Sequence, residues 1–423
     1  MTVIRTTLDR VLARINAIGR DGAGWTRPSY SALETAAHDV VAEEATALGL
    51  AVHRDAAGNL FARLPGRDRT APAIHVGSHL DTVAQGGAFD GQAGVAGGLA
   101  LIAALKADGR VPPVDIVLTV TRAEESVWFP ASYLGSRALL GRWTRADLEV
   151  RRSDTGRTLA DHMRDLGLDP EAALQTAPPP PARFVELHIE QGPVLHKAGE
   201  SHAIVTGVRG GFRHRAARIQ GIWAHSGGAP RADRADAVFA LADLVHAMDA
   251  EWGQMLAAGD DLAVTFGIVD AAGPQHAMAK VPGAAGFCVD LRSDREEVLE
   301  RAHGRLLDHV ARIEAARPGI RFDLGAESRS TPVALSRAWQ EDLSRAAGGT
   351  LRAMPSGGGH DAAAFAAAGW DATMLFIRNW NGSHCPEEGM DPADLALAVG
   401  TLRDAILEDP RHPSACQRDS SIP

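Results

Sequence analysis

The sequence predicts an α/β protein in which a domain with a mostly parallel central sheet is interrupted by a smaller α+β domain. Two observations lead to this prediction. In the first half of the chain, short apolar runs alternate with helical patterns, as in parallel strands joined by crossover helices. A middle segment then follows the order β-α-β-β-α-β, which is typical of a compact ferredoxin-like unit.

The first domain opens with a predicted helix, because apolar residues recur at helical spacing from Leu8 to Ile18 and form no signal-peptide run. Apolar runs predict strands at 73–77, 115–120, 185–189 and, late in the chain, 373–377. Helical patterns lie at 95–106 and 157–166. Because strands and helices alternate, we expect most of these strands to be parallel.

The middle segment predicts four strands and two helices of its own. The strands are expected at 213–220, 262–269, 286–291 and 320–324, and the helices at 234–248 and 295–315. We therefore predict an inserted domain at 212–328. The main domain would consist of 1–211 and 329–423.

Composition excludes several classes of protein. The 423 residues include 43 Lys+Arg and 53 Asp+Glu, and the net charge of −10 argues against nucleic acid as the main partner. No apolar run approaches the ~18 residues of a membrane span. Three cysteines (Cys288, Cys385 and Cys416) are too few for a disulfide framework and fit a reducing compartment, so we expect a cytoplasmic protein.

The first candidate functional residues follow the strand at 73–77. His79 and Asp81 are two positions apart, so both point to one side of an extended chain. A carboxylate beside a histidine orients it as a metal ligand, although a salt-bridged histidine at a strand end fits equally well. Asp90 lies among glycines that allow a tight turn to direct its carboxylate, or that simply form a polar turn.

Glu124 and Glu125 directly follow the strand at 115–120. Adjacent side chains cannot point the same way, so one could bind a metal while the other acts as a general base. An acidic helix start is the alternative. Their position beyond the carboxyl end of a strand is where α/β proteins form their sites.

Four further histidines are candidates. His188 ends the third predicted strand and His384 follows the last one, and each is either a core residue or a ligand. His225 lies in a glycine-rich loop of the inserted domain and could reach a cleft between domains. His360 follows three glycines that resemble an anion nest, without a phosphate-loop signature. Cys385 lacks a second cysteine at metal-binding spacing, which argues against a thiolate site.

Five of these residues form a coherent set of metal donors: His79, Asp90, Glu125, His188 and His384. A mixture of imidazole and carboxylate donors suits Zn²⁺. A carboxylate shared by two metals is the usual plan of two-metal hydrolases.

Longer motifs occur in a recognisable order. They are GSHLDTVAQGGAFDGQAGV at 77–95, the glutamate pair followed by GSRALLG at 135–141, ELHIEQGPVL at 186–195, GHDAAAF at 359–365 and SHCPEE at 383–388. With these motifs the chain resembles, over nearly its whole length, the hydantoinase/carbamoylase family of zinc amidohydrolases, within the aminoacylase-like metallopeptidases. The resemblance implies a di-zinc aminopeptidase-like catalytic domain and an inserted lid and dimerisation domain.

The resemblance also implies two divalent metal ions per subunit, Zn²⁺ by default, with Mn²⁺, Co²⁺ or Ni²⁺ as alternatives. Asp90 would bridge the two ions. His79 and His188 would complete one site, and Glu125 and His384 the other.

The remaining roles follow from the same resemblance. Glu124 would be the general base and Asp81 would orient His79. His225 would reach the active site of the partner subunit and stabilise the oxyanion. Gln191 and Arg292 would contact the substrate, with Arg292 holding its carboxylate. We also expect His360 to contact the substrate.

The chain departs from the family pattern at three positions. Ala279 replaces a usual Asn, Trp128 is bulkier than expected after the glutamate pair, and Cys385 replaces the usual Asn or Ser after the ligand histidine. The metal-binding residues are thus intact, whereas the residues that govern specificity are altered.

The predicted activity is hydrolysis of the carbamoyl (ureido) C–N bond of an N-carbamoyl amino acid or related ureido acid by a metal-bridged hydroxide. Hydrolysis of N-acyl amino acids or dipeptides is the alternative that Ala279 favours. A non-catalytic, metal-bound binding protein is the third, and the retained glutamate pair argues against it. The resemblance implies a homodimer through the inserted domain. The substrate side chain, its stereochemistry and the native metal stay open.

Overall fold

The computed structural model describes residues 1–409 of the chain, so Cys416 lies outside the described residues. The chain forms two compact units, of which the smaller is Gly207–Ala334 and the larger contains Met1–Thr206 and, after the smaller unit, residues 335–409. The sequence places the corresponding boundaries at 212 and 328, and both positions fall inside strands of the smaller unit. Independent folding of the inserted segment stays a prediction.

Thirteen α-helices lie within residues 1–409. They are α1 (Thr2–Ile15), α2 (Ala32–Ala47), α3 (Gln92–Ala107), α4 (Leu134–Leu139), α5 (Arg145–Glu149), α6 (Leu159–Asp165), α7 (Pro170–Leu174), α8 (Val194–Ala198), α9 (Ala237–Ala257), α10 (Glu296–Ala316), α11 (Arg337–Ala346), α12 (Asp361–Ala367) and α13 (Pro392–Leu407). The predicted N-terminal helix is confirmed as α1, and the four other predicted helices as α3, α6, α9 and α10.

The same residues contain twenty-one strands. They are β1 (Arg20–Asp21), β2 (Gly24–Trp25), β3 (Ala51–Arg54), β4 (Leu60–Leu64), β5 (Ile74–His79), β6 (Ile116–Thr121), β7 (Arg183–Ile189), β8 (His202–Val208), β9 (Gly210–Gln220), β10 (Ala224–His225), β11 (Ala263–Thr265), β12 (Val269–Asp270), β13 (Lys280–Val281), β14 (Ala284–Ser293), β15 (Arg321–Asp323), β16 (Glu327–Ser330), β17 (Val333–Ala334), β18 (Ala353–Ser356), β19 (Asp371–Ile377), β20 (Asn379–Trp380) and β21 (Gly389–Met390).

The larger unit is built on one mixed sheet. Strands β6, β5, β7 and β19 lie side by side in that order and are parallel. Strand β4 continues the sheet antiparallel to β6, and β8 continues it antiparallel to β19. The α/β class is confirmed, and the predicted parallel arrangement holds for the four central strands.

Helix α3 lies in the middle of the larger unit's core. Every residue from Gln92 to Leu105 is buried, because α3 packs on β5 and is covered by α1 and α13. A helix that is apolar on all sides is stable only in such a position. This burial fixes the start of α3, and therefore the loop that carries Asp90.

The smaller unit has the predicted ferredoxin-like order. Its main strands run β15-β9-β14-β11, all antiparallel, with α9 and α10 packed on the sheet. The single strand expected at 262–269 is wrong in detail, because the structure has two short strands there, β11 and β12. Both pair with β14, but three residues, 266–268, lie between the pairs Thr265–Asp290 and Val269–Phe287 where β14 has only two, so the extra residue interrupts the strand.

Within residues 1–409, none of the helices combines the length and the apolar character needed to cross a bilayer.

Candidate metal centre and active site

The candidate site lies at the carboxyl ends of the parallel strands of the larger unit. His79 is the last residue of β5, and His188 is the penultimate residue of β7. Glu124 and Glu125 follow β6, and His384 follows β19. Because these strands are parallel, their ends meet at one edge of the sheet, where α/β proteins hold ligands.

Asp90 lies between two sets of donor atoms. Its Oδ1 atom is 3.5 Å from His79 Nε2 and 3.3 Å from His188 Nε2. Its Oδ2 atom is 3.6 Å from His384 Nε2, which in turn lies 3.3 Å from Glu125 Oε1. The structure therefore brings together the five residues that the sequence selects as donors, with one oxygen of Asp90 facing each set.

These separations fit metal ions better than hydrogen bonds. Typical N–H···O distances are about 2.7–3.2 Å, and all four separations are longer. Ligand atoms about 2.0–2.1 Å from a tetrahedral Zn²⁺ ion lie about 3.3–3.4 Å from one another. The second ring nitrogens of His79 and His188 lie 3.1 and 2.9 Å from backbone carbonyl oxygens, which directs each Nε2 towards Asp90.

Asp81 links one donor set to the glutamate pair. Its carboxylate accepts hydrogen bonds from the backbone N–H groups of Glu124 and Glu125, both at 3.2 Å, and from Ser29 Oγ at 2.6 Å. Asp81 Oδ1 is also 3.3 Å from His79 Nδ1. One buried carboxylate therefore orients a histidine of the donor set and the loop that carries both glutamates.

Glu124 faces the same space without belonging to either donor set. Its Oε2 atom is 4.0 Å from His79 Nε2, and its side chain is 10% exposed. Burial raises the pKa of Glu124 well above its usual range, while the positive charge of His79 opposes the shift. A buried carboxyl with a raised pKa is suited to proton transfer.

Electrostatic interactions among the donor residues shift their pKa values. Burial opposes ionisation of Asp90, but His188 and His79 outweigh it and hold the pKa of Asp90 well below its usual range. The nearby carboxylate of Glu125 raises the pKa of His384 to about 9, against the effect of burial. Divalent cations held by these residues would displace the protons of the histidines.

Backbone strain is concentrated beside these residues. Ala123, Gln191 and His384 have left-handed φ values of 51°, 63° and 60°. Such conformations cost on the order of 1–3 kcal/mol each and persist where the surrounding structure enforces them. Gly91 has φ 72°, and a Cβ atom there would lie 2.5–2.7 Å from three atoms of the His79 ring, so only glycine fits.

Two of the expected substrate contacts lie beside the donor sets. Gln191 Nε2 donates to Asp90 Oδ2 at 2.7 Å, so its amide supports the central carboxylate in this structure. The His360 ring packs against His188 with a centroid distance of 4.4 Å, and its Nε2 atom is 2.8 Å from Ser356 Oγ. Both side chains therefore contact the candidate centre from within the larger unit.

His225 and Arg292 belong to the smaller unit. His225 Nδ1 accepts the backbone N–H groups of Gly227 and Gly228 at 3.2 and 3.1 Å, so a neutral ring carries its proton on Nε2. Arg292 forms an ion pair with Asp290 at 2.8 Å. Both residues thus belong to a different unit from the one that contains the donor sets.

Sequence analysis missed two residues that support Asp90. Glu388 Oε1 accepts the backbone N–H groups of Phe89 and Asp90 at 2.8 and 3.1 Å. Ser383 Oγ lies 2.6 Å from Asp90 Oδ2 and 2.8 Å from Glu388 Oε2. Both residues are in the SHCPEE motif, but nothing in that motif indicates which distant loop they contact.

The departures from the family pattern have structural explanations at two positions. Trp128 is buried, and its Nε1 donates to the carbonyl of Thr82 at 2.7 Å. Cys385 directs its thiol to the carbonyl of Asn381 at 3.2 Å, within its own loop. Neither side chain belongs to a donor set.

Two donor sets share Asp90 at the ends of the parallel strands, and a buried glutamate lies beside them. These features define the class of this protein as a metal-dependent hydrolase. A family model narrows the class, since residues 75–408 match peptidase family M20/M25/M40. The chain belongs to this family.

Individual relatives agree with that assignment. The chain is 32% identical to the N-carbamoyl-L-amino acid amidohydrolase of Geobacillus stearothermophilus, over 95% of this chain and 98% of the relative. It is 31% identical to the allantoate amidohydrolase of Escherichia coli, over 95% and 97%. A hydantoinase/carbamoylase family amidase from Burkholderia multivorans superimposes with a TM-score of 0.85 at 28% identity, over 95% and 97%. The resemblance inferred from the motifs is confirmed, as is the predicted enzyme class, an amidohydrolase.

Proposed function

We propose that this enzyme hydrolyses a ureido C–N bond of an N-carbamoyl amino acid or a related ureido acid, using two divalent metal ions. The observation that carries the proposal is the convergence of two donor sets on Asp90, with Glu124 beside them. The relatives named for N-carbamoyl amino acids and allantoate, both ureido compounds, support the substrate class.

The residues that would hold the ions follow from the distances to Asp90. His79 and His188 would complete one site, and Glu125 and His384 the other. The mixed imidazole and carboxylate donors favour Zn²⁺, while Mn²⁺, Co²⁺ and Ni²⁺ suit the same set. When bound, two such ions supply Lewis acidity that lowers the pKa of a water molecule and polarises a carbonyl group.

Glu124 would move the proton of the reaction. Its buried carboxylate takes a proton from the attacking water and delivers it to the departing nitrogen. Water oxygen bonds to the carbonyl carbon, one C–N bond breaks, and the carbamate that remains decomposes. The overall products from an N-carbamoyl amino acid are the free amino acid, ammonia and carbon dioxide.

His225 would stabilise the oxyanion that forms during attack. Two backbone N–H groups occupy its Nδ1, which leaves Nε2–H as the donor that this task needs. We further propose that His225 serves the active site of the partner subunit in a homodimer formed through the inserted unit. An isologous interface is the common arrangement for such dimers.

Arg292, Gln191 and His360 would bind the substrate, with the guanidinium of Arg292 on its carboxylate. A bidentate fork suits this contact, and Arg292 already holds the carboxylate of Asp290 at 2.8 Å. We also propose a cytoplasmic location, which the free thiols of Cys288 and Cys385 support.

Hydrolysis of an N-acyl amino acid or a dipeptide is the second candidate, and Ala279 favours it. The backbone of Ala279 accepts the N–H of Ser226 at 2.9 Å, and β13 pairs Lys280 with His225. A family-typical Asn at 279 would therefore directly precede β13, whose Lys280 pairs with the oxyanion histidine, and its loss removes an amide suited to a ureido group.

The test uses metal-reconstituted protein and a panel of N-carbamoyl and N-acyl amino acids, with ammonia and free amine scored in the same wells. Release of both products from carbamoyl substrates supports the proposal. Amine without ammonia selects the second candidate. No product from protein that retains both ions refutes both candidates for this panel.

A further inference from the structure

A second cluster of metal-ligating side chains lies in the smaller unit, away from the donor sets around Asp90. It consists of His214 on β9, His303 on α10 and Glu327 on β16, and we refer to it as the edge cluster. His214 Nε2 is 3.1 Å from His303 Nε2, and His303 Nε2 is 3.6 Å from a carboxylate oxygen of Glu327. Three potential ligand atoms therefore converge on one point.

Rigid elements hold the three side chains in place. His214 and Glu327 are direct partners in the antiparallel pairing of β9 with β16. The His303 ring stacks on Phe212 with a centroid distance of 4.6 Å and an interplanar angle of 8°. Sites built on strands and helices hold their geometry more accurately than sites on loops.

The spacing in the edge cluster matches that around Asp90. The separations of 3.1 and 3.6 Å bracket the ~3.3–3.4 Å expected between ligand atoms of a tetrahedral Zn²⁺ ion. A simple hydrogen bond between the two histidines accounts for the shorter distance. It does not account for a carboxylate oxygen facing the same pair of nitrogens.

The surrounding charges favour a cation. Arg329 lies 3.3 Å from Glu327, but it also pairs with Glu300 at 2.7 Å and Glu296 at 3.4 Å. Three carboxylates thus face one guanidinium, which leaves a net negative charge. Burial is the main cause of a lowered pKa at His303, and the neutral ring is the form that binds metals.

We propose that the edge cluster binds one divalent transition-metal ion, of which Zn²⁺ is the best fit, through His214, His303 and Glu327. Three protein ligands leave a fourth position for water. Glu327, with its side chain 36% exposed, gives the ion access from solvent. The ion joins α10 to the edge of the sheet, so its role is to stabilise the smaller unit.

The test is a Zn²⁺ titration of metal-depleted full-length protein, with the number of bound equivalents read by a chromophoric chelator. The variants are His303→Gln and Glu327→Gln, the latter chosen because its exposed side chain can change without loss of folding. His309→Gln is the matched control, since His309 lies on the same helix and its side chain is 13% exposed, like that of His303.

We expect both cluster variants to bind one equivalent fewer than wild type, and the His309→Gln control to bind the wild-type number. Zn²⁺ should also raise the Tm of wild type by more than it raises the Tm of Glu327→Gln. Equal stoichiometry in wild type and both cluster variants would overturn the proposal and leave a hydrogen-bonded histidine pair. Loss of an equivalent in His309→Gln as well would overturn the assignment to this cluster.

Discussion

Replacing Gly91 by alanine should perturb the candidate metal centre through a single added methyl group. Gly91 directly follows Asp90 and precedes the first residue of α3, with φ at 72°. The new Cβ atom would lie 2.5, 2.6 and 2.7 Å from Cε1, Nε2 and Nδ1 of His79. Ordinary carbon contacts are about 3.5–4.0 Å, so the ring or the backbone must move by roughly 1 Å.

Either movement displaces a residue of the donor sets. The His79 ring is buried, and Asp81 and Asp90 flank it at 3.3 and 3.5 Å. A shift of the backbone at Gly91 moves Asp90, which both donor sets share. Displacing supports of a metal ligand typically costs about 10–100-fold in metal affinity or activity, and we expect a loss in that range for Gly91→Ala.

The assay compares Gly91→Ala with Gly109→Ala, which lies just beyond the other end of α3. Gly109 also has a positive φ, 62°, but a Cβ atom there would meet nothing within 4 Å. Strain from positive φ, on the order of 1–2 kcal/mol, is therefore present in both variants. Metal affinity and kcat/KM should fall in Gly91→Ala alone. Equal values for the two variants would refute the role assigned to the contact with His79.

Three further predictions concern other parts of the larger unit. Glu124→Gln should lower kcat at least ~100-fold while metal content stays at the wild-type value, because it removes proton transfer alone; unchanged kcat would contradict its role as base. Glu388→Gln should weaken metal binding at least ~10-fold, because Glu388 holds the backbone of Asp90. The control Glu387→Gln, at the exposed neighbouring residue, should leave metal affinity unchanged. Equal metal affinities in the two variants would contradict the role of Glu388. Burial lowers the pKa of His202 to about 4, so the folded state excludes a proton that the unfolded state binds below pH ~6.5. Stability is then lost as pH falls from ~6.5 towards 4, by about 2 kcal/mol at pH 5 relative to pH 8. Urea unfolding of His202→Gln at both pH values should show a correspondingly smaller loss of stability than wild type. An equal loss of stability in the two proteins would contradict the assignment of this pH dependence to His202.

Much of the fold could be predicted because local patterns coincide with tertiary positions. Buried parallel strands are continuous apolar runs, so β5, β6, β7 and β19 are visible in the sequence. The five donors could be chosen because each lies in or just beyond one of these strands or in the glycine-rich loop after β5, and because parallel strands end at a common edge.

Other features depend on contacts that no local pattern contains. Strand β16 has the polar sequence ESRS and becomes a strand only by pairing with β9 at the edge of the sheet. The bonds from Glu388 to the backbone of Phe89 and Asp90 join segments almost 300 residues apart in the chain. The strand at 263–270 is divided because it has one residue more than β14 between the two paired stretches, and the sequence pattern does not show this mismatch.

The measurement that tests the central claim most directly is the ratio of ammonia to free amino acid released from one N-carbamoyl amino acid by metal-reconstituted enzyme. Hydrolysis of the ureido group predicts equal amounts of the two products, both abolished in Glu124→Gln. Free amino acid released without ammonia, or equal release by Glu124→Gln and wild type, would contradict the account.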